Sequence, residues 1–415
     1  MLFAPTASPS SEPLVEDVLL HILSFCDIVS VLAMTESSKY FYRLASSKSV
    51  WLAAVTELFR RGFVHREEDE VLHELSKDQL VEKAKRAALG PQTWRRNHFG
   101  PPIVSTEITL HTHNNSRTQF GVHLLPGGNY LFHNHSVLDC WRILERKIVW
   151  TYDCTENARV LTFAAQLTDN PNQAVIMACQ RTRENNEIRR NYVEMLTLDL
   201  KAGKSQSLIV ARAPNGPGGD DTYSHPQICG DFAAVAVGFE VVLLNWREGT
   251  YAMVHIGNDL HFFSSFSHLA LAPGYAILVV ALSVRDEAGD EYEVQTLALS
   301  PLAALPWAPV DRVNPPKSVT SGSDLPRVHS EALPLLGEHT SNCNILISAH
   351  EHPLRNDLFR VWIYVDEVIP SVLLSYNLDL RGDPTLGLRS TTNIGDFHIH
   401  GCGVSFSGHT VRSPS

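Results

Sequence analysis

Near residue 100 the spacing of apolar residues changes from helical to extended, and this switch limits what the chain can fold into more than any other feature. From Leu14 to about Trp94 the apolar residues recur at helical spacing and proline is nearly absent. After Pro101-Pro102 the pattern becomes short apolar or alternating runs of four to eight residues, separated by clusters of Gly, Pro, Asn and Asp. That is the signature of an all-β region. With 415 residues, 44% of them hydrophobic, the chain has enough apolar surface for two cores. The expected fold class is therefore multi-domain, α plus all-β.

Val15, Val18, Leu19, Ile22 and Leu23 follow the i, i+3, i+4, i+7, i+8 template of one helical face. Asp27 is a good cap for a second short apolar burst, Ile28 to Met34. Thr35 to Ser38 breaks that pattern, after which Tyr40, Phe41 and Leu44 form a third face. A fourth helix begins near Ser49, carries Trp51, Ala54, Val55 and Leu58 on one stripe, and stops at Gly62. Beyond the acidic run Glu67 to Glu70, read as a solvated face, Ser76-Lys77-Asp78-Gln79 is a capping box that opens a helix through Leu80, Val81 and Ala84. Gly90-Pro91 ends it. The expected divisions are a disordered tail over 1–13, a helical module over 14–61, a helical connector over 62–100, a β domain over 101–408 and a tail over 409–415.

Within the β domain, Tyr130 to Phe132, Val137 to Trp141, Lys147 to Tyr152, Ala174 to Ala178, Phe232 to Val237, Val241 to Trp246, Ala276 to Leu282 and Arg360 to Val365 read as strands. Several end at a comparable residue: Trp141, Leu198, Trp246, Leu297 and Trp362. Their intervals of 57, 48, 51 and 65 residues scatter around the period of about 40–50 shown by four-stranded propeller blades. A β-propeller-like domain of about five or six blades is the expectation, with a β-sandwich as the alternative. Ile103 to Leu110 either completes the last blade or the ring is incomplete. Two polar, Pro/Gly-rich segments, Arg212 to Asp221 and Asp311 to Pro326, either line a partner face or are disordered insertions.

The formal charge of -11, with no long basic run, argues against nucleic acid or an anionic membrane as partner. The seven cysteines are scattered and never form a Cys-x-x-Cys pair, so they read as buried intracellular thiols. No signal-peptide pattern opens the chain, and the sequons at Asn114 and Asn134 are then chance matches. The most apolar run, Tyr275 to Leu282, is far shorter than a membrane helix. A cytoplasmic or nuclear location is expected.

Four His-x-His pairs stand out: His111/His113, His133/His135, His350/His352 and His398/His400. In a strand such a pair shares a face and supplies half a metal site. A metal-dependent enzyme built on these pairs is thus the alternative reading, and no spacing shows a third ligand. Gly203-Lys204-Ser205 lacks the first glycine of a phosphate loop and reads as a hairpin turn. Gly403-Val404-Ser405-Phe406-Ser407-Gly408 misplaces the second glycine of a nucleophile elbow. No catalytic constellation, metal or cofactor is expected.

The stretch Leu14-Val15-Glu16-Asp17-Val18-Leu19-Leu20-His21-Ile22-Leu23-Ser24-Phe25-Cys26-Asp27, continued by Val31-Leu32, Ser38-Lys39 and Val50-Trp51, resembles the F-box family in spacing and residue type. The resemblance covers about an eighth of the chain. It implies a helical module that docks on the Skp adaptor of a cullin and RING ubiquitin ligase, with the β-propeller-like domain binding an unidentified target protein. By the same resemblance the adaptor-facing positions are Leu14, Val15, Val18, Leu19, Ile22, Leu23, Phe25, Leu32 and Trp51. Val15 stands where the family usually has proline, which pre-sets the first helical turn. An F-box, a helical connector and a degenerate β-rich region also resemble, in general arrangement, the F-box families of mushroom-forming fungi. A scaffold that binds the adaptor without delivering ubiquitin would share these residues. Independently, a face built from Ile22, Leu23 and Phe25 exposes more apolar area than a fifty-residue unit easily hides, and an apolar partner is its natural cover.

Overall fold

A computed structural model of the chain describes residues 15–64, 72–89 and 121–395, the last without 136, 155–157, 169, 171, 185–187, 214–222, 238–239, 256–268, 286–290, 312–318, 322–323, 334–343 and 367–370, and also 403–404 and 410–411. Leu14, the expected tail over 1–13, all but 410–411 of the tail over 409–415, the run Glu67 to Glu70, the segment Ile103 to Leu110, the sequon at Asn114 and the pairs His111/His113 and His398/His400 lie outside the described residues.

Four helices come first: α1 Glu16–Phe25, α2 Ile28–Ser37, α3 Lys39–Ala45 and α4 Lys48–Arg60. Polar side chains begin three of them. Asp27 accepts from the Ser30 N–H, Ser38 from the Phe41 N–H and Ser47 from the Val50 N–H, each satisfying a donor that a first turn leaves open. The capping box before α5, Lys77–Leu89, is reciprocal: Gln79 Oε1 accepts from the Ser76 N–H at 2.7 Å and Ser76 Oγ from the Gln79 N–H at 3.3 Å. Leu80, Ala84 and Ala87 of α5 then join Leu44, Val50, Val55 and Leu58 in one core.

Helix α4 stops at Gly62, which has a φ of 76°. A Cβ at that position would fall 2.0 Å from the Cβ of Pro126, so the helix end presses on the first turn of the β domain. Gly62→Ala is expected to cost about 2–3 kcal/mol through left-handed strain and this clash. Thermal unfolding of the variant measures it.

The β domain is a succession of sheets built on antiparallel strands that follow one another largely in chain order. The first holds β1 Gly121–Leu124, β2 Tyr130–Asn134, β3 Leu138–Arg142 and β4 Lys147–Thr151, and the second β5 Ala158–Leu167, β6 Gln173–Glu184, β7 Ile188–Asp199 and β8 Lys204–Ala213. The third is built on β9 Tyr223–Cys229, β10 Phe232–Val237, β11 Glu240–Asn245 and β12 Thr250–His255. β13 Leu269–Ala272, β14 Tyr275–Arg285 and β15 Glu291–Pro301 start the fourth. The chain then gives two short strands back to the third sheet, β16 Ala308–Pro309 and β17 Thr320–Ser321, before β18 His329–Ala332 completes the fourth. The fifth comprises β19 Asn344–His352, β20 Arg355–Asp366, β21 Ser371–Asp379 and β22 Thr385–Gly395, and β23 Gly403–Val404 pairs with β24 Thr410–Val411.

The first strand of each sheet lies against the first strand of the next, from β1 through β5, β9 and β13 to β19. Neighbouring sheets also share a core, pair by pair. This is a propeller-like succession of blades, and it excludes a sandwich of two sheets. Among the described residues no sixth four-stranded sheet is present, and although β23 lies beside β1 these residues do not close a ring.

The shared cores explain why the central strands read as unbroken apolar runs. In β10, Ala233, Val235 and Val237 enter the core with the second sheet, while Ala234 and Ala236 enter the core with the fourth. In β11, Val242 and Leu244 take the first direction and Val241 and Leu243 the second. Side chains alternate between faces, so a strand buried on both sides has no polar phase.

Of the residues whose spacing suggested blades, Trp141, Leu198 and Leu297 lie in the third strand of their sheets and Trp246 directly follows one. Trp362 lies in a second strand, β20. The cause is the excursion after β15, which delays the fourth sheet's last strand and shifts the apparent register of the fifth. Part of Asp311 to Pro326 belongs to this excursion: Thr320–Ser321 pairs in parallel with β12, and Leu325 is buried between the third and fourth sheets. It covers what would be an open sheet edge. Gly203 sits in the β7–β8 hairpin with a φ of 64°, and a Cβ there would lie 2.1 Å from the Val149 carbonyl oxygen. Asn134 is fully buried and donates to the Val160 carbonyl, so that sequon is closed to a glycan.

Candidate functional site

Helix α1 is apolar over a wider arc than its own core can cover. Leu23 points into that core with Leu19 and Leu20 packed beside it, whereas Val15, Val18, Ile22 and Phe25 form a second stripe that faces solvent. Phe25 is 73% exposed, Val15 67% and Ile22 47%. The stripe continues onto α2 with Val29 and Leu32 and onto α3 with Tyr40 and Tyr42. Among the described residues, eight of the twelve exposed large hydrophobic side chains fall in this short segment. Concentration of this kind marks an interaction surface, while scattered exposed residues do not.

Of the positions that the F-box resemblance assigns to an adaptor, Val15, Val18, Ile22, Phe25 and Leu32 are exposed and Leu19 is half-buried. Leu23 and Trp51 are buried in the helical core, so they hold the surface in place and do not form it. Val15 is the N-cap of α1, without a side-chain cap, and its φ of -59° is the value a proline would impose. The helix therefore starts in the same way without proline. Val29, Tyr40 and Tyr42 went unassigned, although Val29 lies three residues before Leu32 on one helical face.

The helical unit is joined to the β domain at the other end of the same surface. Arg61, just past α4, has a side chain only 5% exposed. Its guanidinium donates to Glu351 Oε2 at 2.5 Å, the His352 carbonyl at 2.7 Å and Asn356 Oδ1 at 2.8 Å, all around the β19–β20 hairpin. The tip of that hairpin reaches back: Leu354 packs on the helical core, and its carbonyl accepts from the Val29 N–H at 3.4 Å. A groove of about 700 Å³ runs between α1, α4 and this hairpin, with Phe25, Ile28, Leu52, Arg61 and Pro353 in its walls.

Among the described residues the His-x-His pairs do not converge on a shared site. His133 and His135 stack with ring centroids 5.0 Å apart, and His135 Nδ1 lies 3.7 Å from Asp139. Burial pushes the His133 pKa down, and His135 adds to the effect. Among the described residues no three His, Cys, Asp or Glu side chains gather in a metal-binding arrangement. No helix among them is long and apolar enough to cross a membrane.

His352 has a structural task. Its Nδ1 accepts from the Leu354 N–H at 3.2 Å, and burial, with the cations Arg360, Arg355, Arg61 and Arg389 around it, pushes its pKa down to about 4. The unfolded chain binds this proton first, so stability present above about pH 6.5 is lost as pH falls from there towards 4. His352→Gln keeps an acceptor and cannot take the proton. We expect a smaller loss of stability for it than for the wild type between about pH 7 and about pH 4.5, read by urea unfolding.

No known protein family matches the chain, and no curated protein matches it either. Among solved structures, the Neurospora crassa Pan2 WD40 domain is 9% identical with a TM-score of 0.31, covering 70% of this chain and 83% of that one. The Myceliophteria thermophila Cps50 (Swd1) β-propeller domain is 12% identical with a TM-score of 0.30, covering 68% and 75% respectively. Likeness at this level carries no functional information, and the blade-like description above rests on the sheets themselves.

Proposed function

We propose that this chain is a substrate receptor of an SCF-type cullin-RING ubiquitin ligase, acting in the cytoplasm or nucleus. Residues 14–61 serve as an F-box that docks on the Skp adaptor, and the β domain, read as a propeller, presents its loops to a target protein. The chain itself catalyses nothing on this reading. One observation carries it: the stripe Val15, Val18, Ile22, Phe25 and Leu32, with Val29, Tyr40 and Tyr42 beside it, is left open to solvent, while Leu23, Ile28, Val31, Leu44, Val50 and Trp51 of the same unit are packed away. Surface of this kind is stabilised by covering it with an apolar partner, and its residues match the F-box pattern in place and spacing.

The test is direct binding of purified Skp adaptor to the intact chain. Wild-type protein should retain the adaptor and a variant with Ile22→Asp and Phe25→Asp should not. Equal retention by both, or by neither, would remove the proposal. Reconstitution with the remaining ligase subunits then separates a receptor from a scaffold, because only a receptor leads to ubiquitin on a bound protein.

A further inference from the structure

The fifth sheet carries a feature independent of the helical surface. Strand register sets His350, Arg360, Asn377 and Gly387 side by side across β19, β20, β21 and β22, and residues paired in this way share one face of a sheet. One step beyond Gly387 the pairing slips, because Leu388 opposes Tyr376 and Ser390 opposes Ser375. Arg389 is thus the extra residue of a β-bulge, a device that re-aims a side chain. Around Gly387 nothing lies within 4 Å of where a Cβ would stand, so the row has an open floor.

Among the described residues, two of the cations at this place are left over. Arg355 and Arg381 share Asp379, and Arg61 has Glu351. Among the described residues Arg360 and Arg389 have no carboxylate. Arg360 is half-buried, and its Nε is shut off from solvent without a hydrogen bond. Its pKa is pushed down by burial and then by Arg389. Two cations held near each other, one with a buried donor left unmade, raise the free energy of the fold unless an anion binds between them.

We propose that Arg360 and Arg389, with the amide of Asn377, form a receptor for a phosphate-type dianion. Phosphate carries about two negative charges near neutral pH, which matches the two uncompensated guanidinium groups. Planar guanidinium forks also fit its oxygens better than an ammonium would. A carboxylate would leave one cation unneutralised. The dianion is either free inorganic phosphate or a phosphorylated side chain of a bound protein.

Calorimetric titration of the intact chain at low salt tests this with inorganic phosphate, a short phosphoserine peptide and the same peptide carrying glutamate. Phosphate and the phosphopeptide should bind and the glutamate peptide should not. Tighter binding of the phosphopeptide than of phosphate identifies a protein-borne ligand, and tighter binding of phosphate identifies the free ion. Arg389→Gln, at an exposed position that leaves the fold intact, should weaken either one about tenfold or more. Arg360→Lys keeps the charge, loses the fork and should weaken binding less. Affinity should also drop at about pH 5, where phosphate regains its second proton. Absence of binding, equal binding of the glutamate peptide, or indifference to Arg389→Gln would overturn the proposal.

Discussion

Aspartate at both Ile22 and Phe25 will abolish retention of the Skp adaptor while circular dichroism and thermal unfolding stay close to wild type. Both side chains already face water, at 47% and 73% exposure, so the folded chain loses little packing. The complex, by contrast, would have to bury two carboxylates where it buried two hydrocarbon side chains. Each lost side chain is worth roughly 1.5–3 kcal/mol of burial, so the pair should weaken association by about a hundredfold to ten-thousandfold. Leu23→Asp separates this from misfolding. Leu23 is buried in the helical core, and a carboxylate there should unfold the helical unit, with a cost above about 4 kcal/mol. Loss of adaptor binding with an intact fold is therefore expected of Ile22 and Phe25 and not of their neighbour.

Arg61→Ala should produce the second large effect, at the joint between the helices and the β domain. The change removes three hydrogen bonds and the placement of the guanidinium 4.9 Å from the centre of the Phe63 ring. Glu351 is 41% exposed and Asn356 is exposed as well, so both can rehydrate and much of the loss comes from the His352 carbonyl. A cost of about 2–4 kcal/mol is expected, visible as a lower melting temperature. Hydrogen exchange at the Val29 amide, whose acceptor belongs to Leu354, should accelerate in the variant. Arg61→Lys should recover only part of the loss, because an ammonium cannot address three acceptors in the plane of a guanidinium. If Val29 exchange is unchanged, the hairpin does not depend on Arg61.

Where structure depends on near neighbours, the residues announce it. Asp27, Ser38 and the pair Ser76 and Gln79 act as caps because a helix start needs acceptors within three positions. The doubly buried strands β10 and β11 show themselves as apolar runs for the same local reason. The site was legible in part: a helical wheel finds the apolar arc of α1, yet it cannot say which half meets the core. Leu23 points inward and Ile22 outward because α3 and α4 supply the cover on one side only, and that is a tertiary fact. Arg61 gave no local signal, since its partners lie about 290 positions away along the chain. Trp362 misled because the excursion through β16 and β17 delays the fifth sheet by a length that no repeat could forecast.

That separation along the chain also sets an order of events during synthesis. The helices leave the ribosome first, but Leu354 and the acceptors for Arg61 emerge only with the fifth sheet. Until then the amino-terminal unit is held only where Gly62 meets Pro126. A prematurely terminated product would thus carry its greasy helical surface on a loose tether, so that only translation through the fifth sheet yields a rigid bracket.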